Sequence, residues 1–200
     1  MEEKVCFQSG DLDLEGLFES GGAKRGVVIT HPHPLYGGDM QNPVVEVIRR
    51  AYRSKDAATL RFNFRGTGHS AGHYDNGAGE QNDVVAALCF LKETGIDTID
   101  LCGYSFGAWV NALTVCREGG TENLVMVSPP VGFVDFSAIT SLPALRLVVT
   151  GSRDEIAPAE VIRKMQPEWN PSARLEIIDG ADHFYCRYTR RLEEVLAHHV

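Results

Sequence analysis

Residues 98–113 read TIDLCGYSFGAWVNAL and combine three local signals in one run. The apolar and β-branched residues of 98–102 predict a buried strand, and the residues after Ser105 have the composition of a helix. Between them lies Gly103-Tyr104-Ser105-Phe106-Gly107, whose two glycines leave room for a sharp turn. A serine at the apex of such a turn is exposed, and the first amides of the helix point toward it. Ser105 is therefore the candidate nucleophile.

The same G-x-S-x-G spacing occurs a second time, at Gly68-His69-Ser70-Ala71-Gly72. Its surroundings differ, because it follows Arg65-Gly66-Thr67 and leads into a segment rich in glycine, asparagine and aspartate. That composition is typical of a loop and offers neither the strand nor the helix that the sharp turn requires. We therefore expect Ser70 to occupy an ordinary loop turn, and we prefer Ser105.

Elsewhere in the chain, short apolar runs alternate with helical segments, which predicts a parallel sheet covered by helices. The predicted strands are Gly26–His31, Ala58–Phe64, Thr98–Cys102, Asn123–Ser128, Ala144–Gly151 and Ala173–Ile178. The predicted helices are Pro43–Ser54, Gly79–Thr94, Phe106–Glu118, Pro158–Pro167 and Tyr185–His199. Val5 to Phe18 predicts a hairpin that adds antiparallel strands at one edge. The expected fold class is α/β, a doubly wound, mostly parallel β-sheet with helices on both faces, in a single domain over residues 1–200.

A serine hydroxyl needs a base to take its proton and an acid to orient that base, and in such sheets both follow strands. In chain order the acid comes before the histidine. Asp154 follows the predicted strand that ends at Gly151, in a tight Gly-Ser-Arg-Asp turn, and is the preferred acid. Two alternatives are that Glu155 is the acid, and that Asp154 only caps the helix beginning near Pro158.

The preferred base is His183, which follows the last predicted strand across a short loop. An alternative interpretation makes it a helix-start residue, with Asp182 as the N-cap. The other histidines suit the role less well, because His69 and His73 precede the acid and His198 and His199 lie on the last helix.

Hydrolysis of an acyl bond also needs two backbone N–H groups to stabilise an oxyanion. The amide of Phe106 is the first candidate, and the loop at residues 31–39, HPHPLYGGD, should supply the other. Prolines have no N–H, so the second donor is expected to be Leu35, in preference to Tyr36 or His33.

The same loop admits a different interpretation, in which His31 and His33 bind a metal ion with Asp39, His69 or His73. The two prolines make this segment a rigid turn rather than a continued strand, so we favour histidines that brace the loop by hydrogen bonds. No metal and no cofactor are expected.

Composition excludes several classes of function. A formal net charge of −8 argues against a nucleic-acid surface, and no apolar run approaches the ~18 residues of a membrane span. Five cysteines form no CxxC pair and fit no closed disulfide set, and the first residues lack the pattern of a signal peptide. We expect a soluble, cytoplasmic protein, a monomer or homodimer, whose partner is a small molecule rather than nucleic acid or a membrane.

Four blocks, in order, resemble the α/β-hydrolase superfamily over nearly the whole chain, and within it the compact branch related to dienelactone hydrolases and small carboxylesterases. The blocks are His31 to Gly38, Arg61 to Ser70, Gly103 to Gly107 and Gly180 to Phe184. The resemblance implies a minimal α/β-hydrolase fold and a Ser105, Asp154, His183 triad. One departure is that dienelactone hydrolases use a cysteine nucleophile, whereas this chain has Ser105, which argues against dienelactone cleavage.

Larger relatives insert a helical lid after the strand that here ends near Ser128. The roughly fifteen residues before the next strand are too few for a large lid. We expect Phe133, Val134 and Phe136, with Tyr36 and Trp109, to form the apolar walls of an open substrate pocket.

The expected activity is hydrolysis of a small carboxylic ester or thioester through an acyl-enzyme. Two alternatives remain open at this stage: amide cleavage or acyl transfer by the same three residues, and a non-catalytic binding module on the same fold.

Overall fold

The computed structural model describes all 200 residues and contains one eight-stranded sheet. The strands are β1 (Glu3–Ser9), β2 (Leu12–Glu19), β3 (Arg25–Thr30), β4 (Ala58–Phe62), β5 (Thr98–Tyr104), β6 (Leu124–Val127), β7 (Leu145–Gly151) and β8 (Arg174–Ile178). The helices are α1 (Pro43–Arg53), α2 (Ala78–Glu93), α3 (Phe106–Glu118), α4 (Ala159–Trp169) and α5 (Thr189–His199), and a 3₁₀ turn covers Pro34–Tyr36.

The strand order is β1-β2-β4-β3-β5-β6-β7-β8. The hairpin of β1 and β2 joins the sheet through β2, which pairs antiparallel with β4. The six strands from β3 to β8 all run parallel to one another. The predicted fold class, a doubly wound and mostly parallel sheet with an antiparallel edge, is therefore confirmed.

Two hydrophobic cores lie on opposite faces of the sheet. Helices α2, α3 and α4 bury side chains such as Val84, Val110 and Ile162 in one core, and α1 and α5 bury Ile48 and Leu192 in the other. The central strands are covered on both faces, which explains why their sequences lack polar alternation.

Two predicted helix boundaries are wrong. Helix α4 continues past Pro167 to Trp169, because the buried indole of Trp169 packs on Phe136 with ring centroids 5.5 Å apart. Helix α5 begins at Thr189 and not at Tyr185, since Tyr185 and Arg187 have φ angles of 54° and 69°, which interrupt a right-handed helix.

The connection between β6 and β7 contains no helix. Phe136, Ile139 and Leu142 bury their side chains in the core, so this part of the connection packs down on the domain. No helix in the structure has the length and apolar character needed to cross a membrane.

Candidate active site

Ser105 stands on a strained turn between β5 and α3. Its φ of 54° and ψ of −120° lie outside the regions that residues with a side chain usually adopt. The flanking glycines are required by packing: a Cβ on Gly103 would lie 2.5 Å from the amide nitrogen of Ala108, and one on Gly107 would lie 2.7 Å from the carbonyl oxygen of His31. The turn therefore fixes the position of the serine hydroxyl at the carboxyl end of the sheet.

The three residues preferred from sequence meet at this point. Ser105 Oγ lies 2.9 Å from Nε2 of His183, and Nδ1 of the same ring lies 2.9 Å from Oδ2 of Asp154. All three residues are buried, with exposed fractions of 4–7%. The contacts form a continuous chain of hydrogen bonds from carboxylate to imidazole to hydroxyl.

Asp154 also holds its own turn, because its Oδ1 accepts the amides of Ile156 at 3.0 Å and Ala157 at 2.7 Å. Burial acts to raise the pKa of this carboxyl, but the hydrogen bond and charge of His183, and then the Ala157 amide, outweigh burial and leave the pKa below its usual value. The carboxylate is therefore held ionised. The neighbouring Glu155 is exposed and takes no part in the chain.

Two tyrosines and a serine, none of them singled out from sequence, support the loop that carries His183. Tyr104 donates from its hydroxyl to the carbonyl oxygen of His183 at 2.9 Å, and the two rings lie 5.5 Å apart. Behind them, the hydroxyl of the fully buried Tyr185 lies 2.8 Å from Oγ of Ser128. No sequence motif marks these contacts, because they join residues that are 57 and 79 positions apart.

The loop after β3 is braced by two histidines, as the loop-bracing hypothesis expects. Nε2 of His31 accepts the amide of Phe64 at 3.1 Å, so the ring proton sits on Nδ1, which lies 2.6 Å from the carbonyl oxygen of Pro32. Nδ1 of His33 accepts the amide of Leu35 at 3.3 Å, and its Nε2 lies 3.2 Å from the hydroxyl of Tyr74. Both nitrogens of His31 are thus used within the protein.

The geometry does not support Leu35 as an oxyanion donor. Its amide points to the His33 ring, and Leu35 is 67% exposed and does not line the cleft above Ser105. The amide of Tyr36 is also used, by the carbonyl oxygen of His33. The sequence could not reveal this, because the 3₁₀ turn beginning at Pro34 takes both amides into its own hydrogen bonds. Of the three candidates, only the amide of His33 has no partner in the protein.

Full burial lowers the pKa of His31 to about 4, from an ordinary value of 6.5. The unfolded chain therefore binds a proton more tightly than the folded protein, so stability should fall as pH drops from 6.5 toward 4, by about 3 kcal/mol from this group. Urea unfolding of the wild type and of His31→Gln between pH 4.5 and 7 checks this. The variant should show the smaller pH dependence, and equal slopes would contradict the prediction.

Ser70 lies in the loop between β4 and α2 and is buried. Its hydroxyl donates to the carbonyl oxygen of Asn63 at 2.7 Å and accepts the amide of Glu15 at 3.1 Å. The hydroxyl therefore donates to one backbone group and accepts from another, and no histidine is bonded to it.

A cleft of about 460 Å³ opens above Ser105 and His183. Tyr36, Phe133 and Val134 line it, as does Phe184, which sequence reasoning missed. Two other expected wall residues do not: Phe136 is buried against Trp169, and the indole N–H of Trp109 donates to the carbonyl oxygen of Asp135 outside the cleft. Phe184 follows His183 directly, so its position could have been found from that adjacency.

A serine on a strained strand-to-helix turn, at the carboxyl edge of a doubly wound sheet, defines the class of α/β hydrolases. The fold here is a minimal version of it, without a lid.

Comparisons with known proteins agree. The chain is 33% identical to an α/β serine hydrolase homologue from Coxiella burnetii, with 98% of this chain and 96% of that chain covered and a TM-score of 0.90. It is 29% identical to an α/β serine hydrolase without a lid from Xanthomonas campestris, covering 100% and 93% of the two chains at a TM-score of 0.90. An uncharacterized protein from Rickettsia prowazekii is 30% identical over an alignment of 205 positions, which covers 96% of this chain and 86% of that protein.

No protein-family model matches the chain. On the strength of these relatives, the chain belongs to the lidless branch of the α/β serine hydrolases, which supports a hydrolase activity.

Proposed function

We propose that this hydrolase cleaves small carboxylic esters or thioesters through an acyl-enzyme, with Ser105 as nucleophile, His183 as base and Asp154 as the acid that orients it. The observation that carries the proposal is the continuous hydrogen-bond chain from Asp154 to Ser105 at the floor of the cleft. The steps need no metal and no organic cofactor.

The ionised Asp154 accepts the Nδ1 proton of His183, which leaves the Nε2 lone pair facing the hydroxyl of Ser105. As Oγ attacks the acyl carbon, its proton passes to Nε2. The imidazolium then gives that proton to the leaving alcohol or thiol, and the acyl group stays on Ser105. Water then attacks the same acyl carbon and gives a proton to His183. His183 returns that proton to Ser105 Oγ as the acyl bond to the serine breaks, and the carboxylic acid is released.

The tetrahedral intermediate places a negative charge on the former carbonyl oxygen. Phe106 is the first residue of α3, where an N–H has no carbonyl partner inside the helix, so its amide serves as one donor. In place of Leu35, we assign the second donor to the unpaired amide of His33, whose ring packs 4.8 Å from that of Phe106.

Proline at position 33 removes the His33 amide, and the φ of His33, −56°, is close to that of proline. His33→Pro should lower kcat by roughly 10²- to 10³-fold, the usual cost of one oxyanion donor. His33→Ala is the matched control, since it loses the ring but keeps the N–H, and it should lose much less. Steady-state kinetics on a nitrophenyl ester measure both. Equal activity of the two variants would assign the second donor elsewhere.

The open cleft favours short acyl groups. Each buried CH₂ contributes ~0.8 kcal/mol, and a protein without a lid offers little surface to bury a long chain. The kcat/KM values for nitrophenyl esters of two to sixteen carbons should therefore be highest at the short end. A maximum at twelve carbons or more would contradict the expected role of Tyr36, Phe133 and Val134 as a compact pocket.

The class of bond is tested with a panel of nitrophenyl esters, acyl thioesters and peptide amides. We expect turnover of the first two and little of the amides, with no turnover by Ser105→Ala. Preferential cleavage of the amides would replace the ester proposal by an amidase.

A further inference from the structure

The position of His183 identifies the leaving-group side of the cleft. Its Nε2 must reach both Ser105 Oγ and the leaving-group oxygen, so the leaving alcohol lies on the His183 side of the reacting carbon. Phe184 stands on that side, with its ring perpendicular to that of His183 and the centroids 5.6 Å apart. It is 65% exposed and lines the cleft, so it offers a face to whatever the imidazolium protonates.

A second group of three rings in mutual contact lines the same cleft, and we call it the acyl wall: His33, Tyr36 and Phe133. Their centroids are 4.8 Å apart for His33 and Tyr36, 5.9 Å for Tyr36 and Phe133, and 6.5 Å for His33 and Phe133. The wall joins the loop after β3 to the connection between β6 and β7. None of its rings contacts Phe184 at this range, so the two aromatic surfaces are separate.

The cleft provides no charged partner. None of its lining residues is a lysine, arginine, aspartate or glutamate. Burial lowers the pKa of His33, so its ring is neutral at pH 7. A charged group seated on the acyl wall would lose water and gain no counter-ion, which is unfavourable.

We infer that the substrate carries a compact, uncharged aromatic acyl group that packs on the acyl wall, and that its alcohol leaves along Phe184. Flat rings gain offset and edge contacts from such a wall beyond their area of burial, and aliphatic groups of equal size do not. The inference rests on the proposed ester hydrolysis and adds to it the identity of the acyl group and the residues that select each half of the ester.

The test compares ethyl acetate with ethyl benzoate, which differ in the acyl group, and with benzyl acetate, which differs in the alcohol. The kcat/KM values are measured by titrating released acid for the wild type, Phe133→Ala and Phe184→Ala. Val161→Ala, which removes an exposed apolar side chain on α4, is the control. Ratios between two esters on one enzyme cancel any general loss of activity.

We expect wild type to hydrolyse all three esters. Phe133→Ala should lower the benzoate-to-acetate ratio by about five- to tenfold and leave the benzyl-to-ethyl ratio within about twofold, as expected from the loss of aromatic contacts. Phe184→Ala should give the reverse pattern, and Val161→Ala should change neither ratio. Monoethyl terephthalate, an anionic benzoate, should be at least about tenfold poorer than ethyl benzoate on the wild type.

If the esters are hydrolysed but Phe133→Ala and Phe184→Ala each lower the benzoate-to-acetate and the benzyl-to-ethyl ratio equally, the assignment of one residue to each half of the ester is overturned. The proposed ester activity would stand. Comparable rates for the anionic and neutral benzoates would overturn the uncharged acyl group. No turnover of any ester by the wild type would overturn the proposed ester activity, and this inference with it.

Discussion

Ser105→Ala should lower kcat/KM for a short nitrophenyl ester by roughly 10³-fold or more, the usual cost of removing the nucleophile of a triad. Ser70→Ala should retain most of the activity. Each serine is the central residue of its own G-x-S-x-G motif, but only the hydroxyl of Ser105 faces an imidazole nitrogen. The hydroxyl of Ser70 is spent on the backbone of Asn63 and Glu15.

Because Ser70 is buried and bonded, Ser70→Ala is expected to cost stability, about 1 kcal/mol for its lost hydrogen bonds. Thermal unfolding of both variants separates this loss from a loss of catalysis, provided rates are measured well below the midpoint. A folded Ser70→Ala protein as inactive as Ser105→Ala would contradict the preference between the two motifs. A reactive fluorophosphonate gives an independent readout, since it should label the wild type and Ser70→Ala but not Ser105→Ala.

The fold could be predicted because its signals are local. Each strand of the parallel sheet is a short run of buried apolar residues, and glycines stand where the turn between β5 and α3 excludes a Cβ. In such a fold the acid and then the histidine each follow a strand. That order alone indicated Asp154 and His183 as partners of Ser105, before any distance between them was known. The end of α4 and the start of α5 were predicted wrongly because contacts between residues distant in sequence decide them. These contacts are Trp169 on Phe136 and Tyr185 on Ser128.

The proposed second oxyanion donor shows the limit of reading a loop from its residue types. The prolines restrict the choice to residues with an N–H, but which of those amides has no partner depends on the hydrogen bonds of the 3₁₀ turn at Pro34–Tyr36. The wall residues show the same limit. Phe133 and Phe136 are three residues apart in one connection, and only tertiary packing sends Phe133 to the cleft and Phe136 to the core.

Asp154→Asn should lower kcat by roughly 10⁴-fold while the fold is kept, an effect typical of a wrong imidazole tautomer. The Asn oxygen can still accept the amides of Ile156 and Ala157, so the turn survives. Its NH₂ group then replaces Oδ2, 2.9 Å from Nδ1 of His183, and donates to that nitrogen. The ring proton moves to Nε2, which can no longer accept the proton of the serine.

Glu155→Gln is the matched control, since it changes the charge of the adjacent, exposed acid and should keep near wild-type rates. Because the pKa of Asp154 is lowered, its carboxylate stays ionised at the neutral pH at which both variants are assayed. An Asp154→Asn variant that retained a tenth of the wild-type kcat, or a Glu155→Gln variant that lost as much as Asp154→Asn, would show that His183 takes its orientation from another group.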